Sequence, residues 1–132
     1  MVSIKSKSAI EFLHFLADIS DPATGVISRI KLAAWLGMTE AELCKRWIRR
    51  GTNIAWPRYA DELLSVLDAA HEQGYDLERV IDWYFHARIE QAGQRTADQI
   101  VTDGEAGWLA RQLDTFGIWI HTTLGRNVPL SR

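Results

Sequence analysis

The chain has 132 residues, 47% hydrophobic and 24% charged, with a formal net charge of −2. This composition excludes a disordered chain, no apolar run approaches the roughly 20 residues that span a bilayer, and the length suits one domain or two small helical units sharing a core. A single cysteine, Cys44, excludes an internal disulfide and suits a reducing compartment, so a soluble cytoplasmic protein with no membrane partner is expected. The charge is unevenly spread. Residues 1–51 carry eight Lys or Arg against five acids, a net of +3, and residues 52–132 carry seven against twelve, a net of −5. A basic front half and an acidic back half suggest different partners.

Near the N-terminus two lysines precede an apolar patch, but Glu11, His14 and Asp18 interrupt it at helical spacing, which marks a folded helix and not a signal peptide. Ser8 and Glu11 form a capping-box pattern, and Ile10, Phe12, Leu13, Phe15, Leu16 and Ile19 continue a strongly apolar helix over residues 8–19, up to the Asp21-Pro22 turn. Ser28 is the expected N-cap of the next helix, which Gly37 ends. Thr39 and Glu42 form a second capping box opening a helix that Gly51 ends. Two helices separated by about three residues have the spacing of a helix-turn-helix. Ala33 supplies the small residue at their contact, Gly37 the turn, Leu32, Leu36 and Met38 the inner face, and Leu43 the anchor of the second helix. Arg46 stands where this motif usually carries an apolar residue, which predicts a rotated second helix.

Pro57 suits the first turn of a fourth helix, with Leu63, Leu64, Leu67 and Ala70 buried and Gly74 beyond its end. The spacing then predicts a helix over residues 76–93, a short helix over 96–104 and a final helix over 105–124, followed by a polar tail at 125–132. No strand pattern stands out. The fold class expected is all-α, with a helix-turn-helix-like unit at residues 1–53 packed with a small helical domain at residues 54–124.

Leu63, Leu67, Gly74, Trp83, Gly93, Thr96, Ile100, Val101, Gly104, Leu109 and Leu113 form an ordered pattern across residues 57–116. This pattern resembles the toxin-binding domain of Xre/MbcA/ParS-type antitoxins, in which a helix-turn-helix-like unit also precedes the domain. The resemblance covers about half the chain. It implies a type II toxin-antitoxin pair in which this protein neutralises a cognate RES-type toxin by direct binding, and autoregulation of the operon through operator DNA.

The residues weigh against catalysis. No phosphate-cradling glycine loop, nucleophile elbow or helical His-Glu-x-x-His is present, so neither an enzyme nor a cofactor is expected. Asp82 and His86 share a helix face but lack further ligands nearby in sequence, and Cys44 reads as a small filler. The DNA-binding candidates are Lys31, Thr39, Lys45, Arg46, Arg49 and Arg50, on or beside the second helix of the helix-turn-helix. Glu40 opposes phosphate contact there, and the arginines could equally serve the helix C-terminus through its dipole. The expected partner interface, with a toxin or with a second copy in a homodimer, is Trp108, Phe116, Trp119 and Ile120, since aromatics dominate interface cores. Trp83 is expected in the core. Two other functions are consistent with the sequence: a stand-alone helix-turn-helix transcriptional regulator, and a protein-interaction module that does not bind DNA.

Overall fold

The computed structural model describes residues 4–51, 53–117 and 122–123. Seven α-helices lie among them: α1 (Ile4–Ile19), α2 (Arg29–Leu36), α3 (Glu40–Arg50), α4 (Trp56–His71), α5 (Leu77–His86), α6 (Ala97–Thr102) and α7 (Ala106–Phe116). Three two-residue strands, β1 (Arg88–Ile89), β2 (Arg95–Thr96) and β3 (Thr122–Thr123), form an antiparallel sheet in the order β2-β1-β3. The all-α class stands, with this small sheet added.

Local chemistry accounts for most of the helix starts. The Ser28 hydroxyl accepts from the Lys31 N–H, Thr39 and Glu42 close a reciprocal capping box, and Asp76 accepts from the Arg79 N–H. Thr96 and Gln99 form a second capping box at α6. The first helix differs from expectation. It begins at Ile4, a turn before Ser8, and Glu11 is used elsewhere. Its carboxylate lies 2.7 Å from His71 Nε2 at the end of α4 and accepts from the Leu77 N–H at the start of α5. One side chain thereby ties three helices together.

Two expected helices are shorter than periodicity alone predicts. The helix expected over residues 76–93 stops at His86, where Ala87 turns extended and Arg88–Ile89 enters the sheet. Between β1 and β2 a single 3-10 turn, Glu90–Ala92, is followed by Gly93 and Gln94, both at positive φ. This hairpin fully buries Ile89 and nearly buries Ala92, and antiparallel pairing supplies backbone partners that a frayed helix end would lack. The final helix stops at Phe116. Gly117 adopts φ 72° and ψ −169°, a region essentially reserved for glycine, and Thr122–Thr123 pairs with β1 instead of extending the helix.

A single hydrophobic core joins all seven helices. The six-residue α6 lies at its centre, burying Ala97, Ile100, Val101 and Thr102 and meeting α3, α4, α5 and α7. Trp83, Ile100 and Leu113 are all buried. Two further tryptophans tie the α2–α3 region to α4. Trp56 donates its indole N–H to the Ile27 carbonyl, Trp47 donates to the Ile54 carbonyl, and the two rings meet edge to face at 5.7 Å. The core is thus continuous across residue 53, where the sequence suggests a boundary.

Candidate functional site

Helices α2 and α3 pack closely around a tight turn. Leu32, Ala33, Leu36 and Leu43 are buried, Met38 is half-buried, and Gly37 makes the turn at φ 78° with its N–H to the end of α2. Part of the outer face of α3 is engaged within the fold. Arg46 Nε lies 3.1 Å from both Asp98 oxygens on α6, and its guanidinium lies over the Phe85 ring at 5.5 Å. Arg50 makes two hydrogen bonds to Glu62 on α4, at 2.7 and 2.8 Å, and passes beside Gly104. Glu40 is held by Arg29 at 3.2 Å, and the Thr39 hydroxyl is engaged in the capping box.

The six DNA-binding candidates therefore divide. Arg46 and Arg50 are engaged within the fold and Thr39 is a cap. Lys31, Lys45 and Arg49 are exposed, without a side-chain hydrogen bond or ion pair among the described residues. The acidic partners of Arg46 and Arg50 lie 52 and 12 residues away, on other helices. No local spacing signals such pairs.

Electrostatics around Arg46 explain its position. Burial raises the Asp98 carboxyl above its ordinary pKa, and Arg46 offsets only part of that rise. The Tyr59 and Tyr84 hydroxyls, which feel the same pair, are pushed well above the ordinary tyrosine range by burial. An apolar residue at position 46 would leave the Asp98 charge uncompensated beside this core.

The partner-interface candidates lie on α7 and beyond it. Leu109 and Leu113 face the core against α4, Trp108 is half-buried, and Phe116 is 60% exposed at the helix end. Trp119 and Ile120 lie outside the described residues. Gln73 donates to the Leu113 carbonyl, joining the α4–α5 loop to this end of α7.

The titratable groups are dispersed. His71 is buried against Glu11 and Phe12, His14 is exposed, and exposed His86 pairs with Asp82 at 3.2 Å. No group of three side chains able to hold a metal ion assembles among the described residues. Cys44 is a half-buried free thiol. Among the same residues no helix is long and apolar enough to cross a membrane.

The chain matches no family model, no curated protein and no solved structure. What it can bind is therefore argued from its own surfaces. These are an exposed aromatic at the end of α7, three unpaired cations around α2 and α3, and a groove beside α5.

Proposed function

We propose that this protein is a cytoplasmic, non-catalytic antitoxin of a type II toxin-antitoxin pair, acting by direct binding to a RES-type toxin. The observation that carries the reading is Phe116. This large aromatic stands exposed at the end of α7, while Ala106, Leu109 and Leu113 of the same helix are already buried. An apolar ring left over after the core is filled suits an interface anchor, and half-buried Trp108 can supply a shoulder beside it. A homodimer sharing the same apolar end is compatible with this reading.

The test is co-expression with the product of the neighbouring open reading frame. That product should be toxic alone, and it should co-purify with this protein and be neutralised by it. Phe116→Ala should weaken the complex by about 2 kcal/mol, roughly thirtyfold in Kd, without unfolding the protein. A neighbouring product that neither co-purifies nor is toxic alone overturns the proposal.

A second reading, a helix-turn-helix regulator of transcription, is favoured by exposed Lys31, Lys45 and Arg49. Three phosphate contacts would give a salt slope of roughly −2.7 per protomer, which is modest and becomes useful in a dimer. A promoter fragment should shift at low salt, and the Lys31, Lys45, Arg49 triple Ala variant should lose the shift. Retention of the shift in that variant removes this reading.

A further inference from the structure

A groove between α2 and α5 has no role in either reading above. Its volume is about 660 Å³, and its apolar lining comes from Trp35 and Leu36 on α2 and from Ile81 and Phe85 on α5. Trp35 dominates it. The ring is 42% exposed, yet the indole N–H donates to Asp18 Oδ2 at 2.6 Å and the ring stands edge-on to buried Phe15 at 5.0 Å. A solvent-facing tryptophan already fixed by its neighbours loses little rotamer freedom when a partner covers it. Tryptophan is also the residue type most enriched at the energetic centres of interfaces. Trp35 also lines a second, smaller concavity with Asp18, Lys31 and Ala34. The residue is therefore shared by two hollows, a shape suited to a peptide lying across it.

The charge on the rim selects the occupant. Asp76, Glu78 and Asp82 line the groove from the α5 side, against Arg79 and His86. His86 is already beside Asp82, and the Asp76 carboxylate accepts from the Arg79 backbone N–H. Glu78 and Asp82 are one helical turn apart, so cations at the same spacing on a partner helix can meet both. An excess of carboxylates around an apolar floor repels nucleic-acid phosphates and acidic peptides and attracts Lys and Arg.

We propose that the α2–α5 groove, centred on Trp35, is a docking site for a basic amphipathic peptide segment of a partner protein. Such a helix seats an apolar side chain against Trp35, Ile81 and Phe85 and turns its cations toward Glu78 and Asp82. Among the described residues the groove shares none with the end of α7.

The probe is a synthetic amphipathic Leu/Lys peptide, with a Leu/Glu peptide of the same pattern as control, titrated into the isotope-labelled full-length protein and followed by NMR. The Leu/Lys peptide should shift the Trp35 indole resonance and the backbone amides of Ile81 and Phe85 in a saturable way, while the Leu/Glu peptide should not. The Glu78→Gln, Asp82→Asn double variant, confined to exposed side chains, should weaken binding about tenfold or more. Trp35→Phe, which keeps an aromatic ring but removes the indole N–H, identifies the resonance and should weaken binding too. Equal binding of both peptides, shifts centred elsewhere, or unchanged affinity in the double variant would each overturn the proposal. Concentration-dependent shifts at Trp35 without peptide would also overturn it, in favour of self-association through this face.

Discussion

Arg46 illustrates how the role of one residue depends on a partner far away in the chain. Its side chain and that of Asp98 are mostly buried, at 26% and 16% exposure, and burial outweighs the attraction of Arg46 in setting the Asp98 pKa. The pair is therefore a compensation for burial and not a surplus of stability. Removing one member leaves the other uncompensated. Arg46→Ala should cost about 2–3 kcal/mol in chemical denaturation, and Asp98→Ala added to it should recover much of that loss. The pH dependence has a definite sign. An acid whose folded-state pKa lies above its unfolded value stabilises the fold as pH falls through that folded value, because the folded state then binds the proton more readily. Losing Arg46 raises the Asp98 pKa further, so the stability gap between Arg46→Ala and wild type should narrow on acidification. A gap that widens would show that Asp98 is not the source of the penalty.

At the level of elements, the outcome at the end of α7 depends on Gly117. Apolar spacing continues past it through Ile120 and Leu124, so periodicity alone extends the helix. The backbone at φ 72° and ψ −169° ends it, and a Cβ added there would come within 2.9 Å of Gln73 Oε1. Gly117→Ala should therefore destabilise the protein by about 1–3 kcal/mol, read from the unfolding midpoint. A neutral effect would mean that the helix can run on past Phe116. The same competition decides the end of α5. Val80, Trp83 and Tyr84 satisfy the helical period, but Ile89 finds complete burial and two strand partners once the chain leaves the helix. Strands of two residues carry too little alternation to be recognised, and β3, the second partner of β1, is distant in sequence.

Over the whole molecule, the basic and acidic halves do not act as separate bodies. Arg46 and Arg50 of the front half meet Asp98 and Glu62 of the back half, and Glu11 of α1 meets His71 and the start of α5. These contacts consume part of the charge asymmetry inside the fold. Exposed Lys31, Lys45 and Arg49 lie around α2 and α3, whereas Glu78 and Asp82 lie along α5, so the two proposed readings and the groove call for chemically different partners.

The sequence by itself determined the helical class, the caps at Ser28 and Thr39, the Gly37 turn and the buried position of Trp83. Each of these follows from interactions within a few residues or from the period of one helix. Only the tertiary structure decided that Arg46 and Arg50 serve the fold, that Glu11 ties three helices instead of closing a cap, and that Trp35 is a fixed ring lining a groove. Those outcomes rest on charges, hydrogen bonds and ring contacts between residues 12 to 66 positions apart. Such pairs leave no periodic trace in the chain, because folding brings them together only after each helix has chosen its face.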